Sequence, residues 1–131
     1  GVVACILPWN YPLLLLAWKI APALAAGNTV VIKPSELTPL STMYMMEHCL
    51  DHFPKGVIGI VNGEGKDVGE TLVTHPAVRV IAFTGSVATG QRIASLAAPS
   101  LSWRLAGLLP LPAHLLSRTL SLCTRARGRS F

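Results

Sequence analysis

The stretch WKIAPALAAGNTVVIKPSELTP, residues 18–39, decides the fold. It opens inside an apolar helix that began near Leu13 and runs to Ala26. Gly27-Asn28 closes that helix with two residues that tolerate the left-handed conformation. Thr29 to Lys33 is β-branched and apolar, so it reads as a buried strand, stopped by Pro34. Thr38-Pro39 starts a second helix, a hydroxyl cap followed by proline at the first helical position. Helix, strand and helix thus follow one another with short connections.

The same alternation extends both ways. Val2 to Leu7 is a short apolar run ending at Pro8, which suits a buried strand. Pro12 can occupy the first turn of the helix after it, and Pro22 should bend or divide that helix. Downstream, the second helix runs to about His52 and Val57 to Val61 forms a third strand. Asp67 and Glu70 have the spacing of a capping box, with a short helix to about Thr74. Val78 to Phe83 is a fourth strand, and Ser86 opens a helix to about Ala98. Four strand–helix alternations predict an α/β fold, a partial doubly wound, Rossmann-like parallel sheet.

The regularity stops at Pro99. Residues 99–131 are rich in Leu, Ser, Arg and Pro, with no clear strand and no acid. Two units are expected: 1–98, a partial nucleotide-binding domain, and 99–131, an irregular or weakly helical tail. All six acidic residues lie between Glu36 and Glu70, so the net charge of +5 is unevenly spread. The late arginines are sparse and lack interleaved aromatics, which argues against nucleic acid. Leu13 to Leu16 is the most apolar run, but Lys19 and Pro22 interrupt its continuation, too soon for a membrane span. Cys5, Cys49 and Cys123 have no metal-ligand spacing, and no secretion signal is evident. Free thiols in a cytoplasmic protein are expected.

Three short motifs stand at predicted strand ends. Phe83-Thr84-Gly85-Ser86, continuing to Gly90, joins a strand to a helix through a glycine turn. Free N–H groups at such a helix start can seat a phosphate, although Gly-Ser is equally an ordinary turn and cap. In Lys33-Pro34-Ser35-Glu36, an acid just past a strand end can accept ribose hydroxyls; it can as well be a solvated ion pair. In Pro8-Trp9-Asn10-Tyr11-Pro12, two prolines stiffen a loop that can hold the Asn10 amide as a fixed donor, or simply pack its aromatics. Each is ambiguous alone. Together they fall on one edge of a parallel sheet, the edge at which such folds bind ligands.

With these motifs and the connecting text of residues 18–39, the chain resembles the aldehyde dehydrogenase superfamily over about Gly1 to Ser100. The resemblance implies NAD as cofactor, an aldehyde as substrate of the parent enzyme, and a homo-oligomeric parent. It implies that Asn10 steadies the oxyanion. Lys33 and Glu36 match the adenosine-ribose contacts, with Glu36 favouring NAD over NADP. Ser86 matches the pyrophosphate contact, and Gly85 and Gly90 allow close approach to it. Leu7, Pro8 and Trp9 match contacts along the cofactor, and Gly63 and Gly65 a loop near the adenine. Lys19 matches a lysine sometimes assigned to a proton relay; it is equally a lysine snorkelling along its helix.

The family pattern continues with an LELGGK-like strand bearing the general base, and then a Gly-Gln-x-Cys nucleophile. Neither stands in this sequence, which departs from the pattern at about Leu101. Cys123 follows too soon and in the wrong context. Aldehyde oxidation by this route needs a thiolate and a base. The expectation is therefore a truncated aldehyde dehydrogenase fragment, inactive by itself, whose tail is read from a shifted frame or another exon. The alternatives are a non-catalytic dinucleotide-binding or interaction module, and a chain with no stable fold.

Overall fold

The computed structural model describes residues 1–99 in full and the backbone of residues 100 and 105–108. Its elements are β1 (Val2–Ile6), α1 (Pro12–Ala25), β2 (Thr29–Lys33), α2 (Pro39–Cys49), β3 (Ile58–Ile60), α3 (Glu70–Thr74), β4 (Val78–Gly85), α4 (Val87–Ala97) and β5 (Leu105–Leu108). A 3₁₀ turn, Leu50–His52, extends α2, and a wide turn, Gly65–Gly69, leads into α3.

The strands form one sheet in the order β3-β2-β1-β4-β5, and every pairing is parallel. The chain winds outward from β1 through β2 to β3, then returns to the other side of β1 for β4. That reversal leaves a crevice at the carboxyl ends of β1 and β4.

Strand alternation sorts the core into two layers. Val3 and Cys5 of β1 face α1 and α2, packed with Leu16, Ile20, Val30, Ile32 and Met46. Ala4 and Ile6 face the opposite side, with Val73 of α3, Ile81 and Phe83 of β4, and Ile93 and Ala97 of α4. Both faces of β1 are covered, which is why its sequence is apolar throughout. The Leu13–Leu16 run divides by helical period: Leu15 and Leu16 are buried, Leu13 and Leu14 exposed. With Trp18, Leu40 and Tyr44 they leave the outer faces of α1 and α2 rich in exposed apolar side chains.

The expected elements are present with ends shifted by a residue or two. Gly27 closes α1 at φ +74°, with its N–H donated to the Leu24 carbonyl and that of Asn28 to Ala23. Four local expectations are corrected. Pro22 does not divide α1; it lies on the exposed face, where water can reach the carbonyl its ring leaves without a donor. Thr38 does not cap α2; its hydroxyl donates to the Trp9 carbonyl at 3.3 Å, tying the Pro8–Pro12 turn to α2. Asp67 and Glu70 form no capping box, because the wide turn precedes α3 and Glu70 binds Arg92. A strand does follow Pro99: Leu105–Leu108 pairs in parallel with Ala82–Gly85 of β4. The open edge of β4 offers backbone donors and acceptors to any apolar segment without proline, whatever its side-chain pattern. Residues 109–131, including Cys123 and the expected weak helicity there, lie outside the described residues.

Candidate functional site

A cleft of about 740 Å³ opens at the carboxyl ends of β1, β2 and β4. One wall is the end of β1 and its turn, Leu7, Pro8 and Trp9, joined by Lys33, Ser35 and Glu36 after β2. A second lip is Glu64, Gly65, Lys66, Gly69 and Glu70, from the wide turn and α3. Across from it stand Thr84, Gly85 and Ser86, and then Ala88, Thr89 and Arg92 on one face of α4. The floor is apolar, with Ile6, Val73, Phe83 and Ile93.

The seat at the start of α4 is a true cap. Ser86 is extended, and its Oγ accepts the Thr89 N–H at 3.2 Å and lies 2.9 Å from the Thr89 hydroxyl. The first amides of α4 remain directed toward the turn, which is the geometry of an anion seat. Gly85 is required here by contact. A Cβ built on it would stand 2.5 Å from Cζ and 2.8 Å from Cε2 of Phe83, which is 4% exposed. The aromatic ring occupies the space that any other residue would fill.

The Lys33–Glu36 pair is less solvated than a surface ion pair. Lys33 is 3% exposed. Its Nζ donates to the Pro34 carbonyl at 3.1 Å and lies 3.5 Å from Glu36 Oε2. Glu36 stays half-exposed, with carboxylate capacity left for a hydroxyl ligand. The N–H of Leu7 donates to the Lys33 carbonyl at 3.0 Å, so the ends of β1 and β2 are locked together under this wall.

Most of the sequence-predicted positions converge. Leu7, Pro8, Trp9, Lys33, Glu36, Gly65, Gly85 and Ser86 all line the cleft. Asn10 lies half-buried in the turn beyond Trp9, outside the cleft wall. Gly90 is buried within α4, and Gly63 stands behind the wide turn, where a Cβ would meet Val68. Ser35, Glu64, Lys66, Glu70, Thr84, Thr89 and Arg92 were not expected in the wall. Helical spacing from Ser86 could have found Thr89 and Arg92. The Glu70–Arg92 pairing, spanning 22 residues, leaves no local signal.

Lys19 reaches the site from the other face of the sheet. Its Nζ donates to Thr84 Oγ1 at 2.5 Å. Burial lowers its pKa from 10.5 to about 8, an effect that the neighbouring Cys5 thiolate would partly offset. Burial likewise pushes the Cys5 thiol up to about 11, with Lys19 pulling it back in part. Cys5 is fully enclosed and is no nucleophile. These shifts have opposite consequences for stability. Below about pH 8 Lys19 is charged in both states and its burial penalty is fully present. Between about pH 8 and 10.5 only the unfolded state keeps that proton, so stability rises with pH. Cys5 reverses the trend between about pH 9 and 11, where only the folded state keeps the thiol proton. Relative to Lys19→Met, the wild-type melting temperature should therefore climb as pH is raised from about 7 to 9. A flat difference would show that Lys19 is charged in the fold throughout.

Among the described residues, no group of His, Cys, Asp and Glu is arranged to hold a metal ion, and no helix is long and apolar enough to cross a membrane.

The pattern of the Aldehyde dehydrogenase family matches residues 1–108, a span that takes in β5. The chain is 55% identical over 115 residues to 2-aminomuconic semialdehyde dehydrogenase of Bos taurus, covering 84% of this chain and 23% of that protein. It is 52% identical over 101 residues to aldehyde dehydrogenase B of Escherichia coli K12, covering 77% of this chain and 20% of the relative. Its fold matches betaine aldehyde dehydrogenase from Staphylococcus aureus, solved in complex with NAD+, with a TM-score of 0.80 and 46% identity over 82% of this chain and 22% of that one. The chain spans about a fifth of the length of these relatives. A parallel sheet reversing at β1, a capped anion seat, an acid past β2 and this match over most of its length agree, and the chain belongs to the aldehyde dehydrogenase family.

Proposed function

We propose that this chain is the dinucleotide-binding portion of an NAD-dependent aldehyde dehydrogenase, and that it binds NAD without oxidising aldehydes by itself. The observation that carries this reading is convergence: the Ser86 cap, the Lys33–Glu36 pair and the Gly85 approach all open into one cleft. A volume of about 740 Å³ suits an extended organic cofactor. Ser86 and the free amides of α4 would hold the pyrophosphate, and Glu36 with Lys33 the adenosine ribose. Half-exposed Glu36 would meet a 2′-phosphate with like charge, which favours NAD over NADP. When bound, NAD supplies a hydride acceptor. This chain's residues hold and orient it, and Asn10 offers an amide donor to an oxyanion.

Catalysis asks for more than this cleft contains. The enclosed Cys5, with its raised pKa, cannot add to a carbonyl at neutral pH. The thiolate and the general base are implied by the family pattern beyond this cleft, as are an aldehyde substrate and homo-oligomeric assembly. The described residues that line the cleft lie between Ile6 and Leu96. The free thiols of Cys5 and Cys49 suit a reducing, cytoplasmic compartment.

Titration with NAD during thermal unfolding tests the reading. At a hundredfold excess over Kd, a ligand specific for the native state adds about 2.7 kcal/mol. The melting temperature should rise with NAD, less with NADP, and Glu36→Gln should narrow that gap. No NADH should form with any aldehyde. A melt indifferent to NAD would sink the binding claim, and NADH production would sink the claim of inactivity.

A further inference from the structure

The two lips of the cleft are unequal. α4 is 11 residues long, capped by Ser86 and anchored by buried Ile93 and Ala97. α3 has only five residues, has no side-chain cap and buries Val73 alone. It continues the wide helical turn Gly65–Gly69, so the lip is one short, irregular helical segment with little internal reinforcement. Val73, with Leu72 beside it, packs against Ile93 and Ala97, and among the described residues a polar pair adds to that contact: Arg92 Nε donates to Glu70 Oε1 at 2.8 Å, and Nη2 donates to Oε2 at 3.2 Å. Two parallel N–H···O bonds fix both distance and orientation, as a single-point contact does not. Arg92 lies three residues beyond Thr89 and six beyond Ser86 on the cleft face of α4. The tie is therefore made alongside the anion seat, and both of its residues line the cleft. Arg92, by its hydrogen bond and charge, holds the Glu70 carboxyl below its usual range, with Lys66 adding to the effect.

We propose that the Glu70–Arg92 fork is a positioning device: it holds the α3 lip at a set distance from the Ser86 seat, so that the cleft is shaped before a dinucleotide enters. This rests on the dinucleotide-binding reading. Arg92 is mostly exposed, and such a pair contributes little to global stability. Its effect appears in binding. Val73 keeps α3 on the core, but without the fork the Glu70 end of the lip must be set in place at the moment the ligand arrives, and that cost is subtracted from affinity.

The test is calorimetric titration of the full 131-residue chain with NAD+. Glu70→Gln, Arg92→Gln and the double variant are compared with wild type, with melting temperatures measured alongside. Each single change should weaken binding by about three- to tenfold, while the unliganded melting temperature stays near wild type. The double variant should be no weaker than the singles, because one tie is lost in each case. Amide exchange over Glu70–Thr74 should quicken in all three variants. Wild-type affinity in the single variants would overturn the proposal. Additive losses would overturn it too, since each side chain would then act on the ligand separately. So would losses that track a falling melting temperature. If the wild type itself binds no NAD+, the dinucleotide reading fails first, and the fork has nothing to position.

Discussion

Replacing Gly85 with alanine is expected to lower stability by about 2–3 kcal/mol and to abolish the NAD-dependent rise in melting temperature. Gly85 is two residues beyond Phe83 on β4, so its missing side chain would point to the same face of the sheet. That space is taken by the Phe83 ring, 2.5 Å from the site of a new Cβ. The ring belongs to the packed layer with Ile6, Val73 and Ile93 and cannot turn away without opening it. Displacing the backbone instead would move Ser86, and with it the cap of α4. For a domain of this size the melting temperature should fall by roughly 10–20 °C. Gly65→Ala is the control: its Cβ meets nothing within 4 Å, and the melting temperature should hardly move. Equal effects of the two substitutions would show that the Phe83 contact is not what requires glycine.

Ile32→Ala should cost about 2–5 kcal/mol, a large share of the stability of a small domain. Ile32 is wholly buried in β2, paired with Cys5 of β1 on one side and Ile60 of β3 on the other. It belongs to the layer under α1 and α2, with Leu16 and Met46. Removing its side chain leaves a cavity lined by strands that cannot close up without losing their hydrogen bonds. Ile32→Val, which removes one methylene, should cost about 1 kcal/mol. Urea unfolding distinguishes the pair: the midpoint should fall much further for alanine than for valine, at an unchanged m-value. A similar small shift for both would mean that the layer relaxes into the space.

The alternation of elements was legible because its signals are local. Thr29–Lys33 is β-branched and bounded by Gly27-Asn28 and Pro34, and the strand occupies those five residues. The cleft was legible in part for the same reason: turn residues mark strand ends, and strand ends mark the ligand edge of a parallel sheet. Capping was less so. Ser86 caps α4 as its position suggests, yet Thr38, in an equally good position, binds the Trp9 carbonyl instead. A hydroxyl chooses among partners by proximity, and Trp9 is 29 residues away in the chain. Glu70 likewise suits a capping box by spacing, but its carboxylate finds Arg92. β5 escaped the sequence reading because a strand at a sheet edge is recruited by the backbone of β4, and Leu105–Leu108 carries no period of its own.

Sequence alone determined where the first four strands and the helices between them lie, that the sheet is parallel, and which three loops bring polar groups to the cleft at the strand ends, but not β5 or the Glu64–Glu70 lip. Those properties follow from backbone preferences and hydrophobic period, which act over a few residues. The tertiary structure alone decided that Lys33 is buried, that Gly85 yields its space to Phe83, that Lys19 reaches Thr84 along the face of the sheet that α1 covers, and that Glu70 and Arg92 tie the two lips of the cleft. Apart from the Gly85 contact, which lies between residues two apart on β4, these depend on atoms brought together from distant parts of the chain. Burial, steric contact and charge pairing are set by distances in space, which residue spacing does not encode.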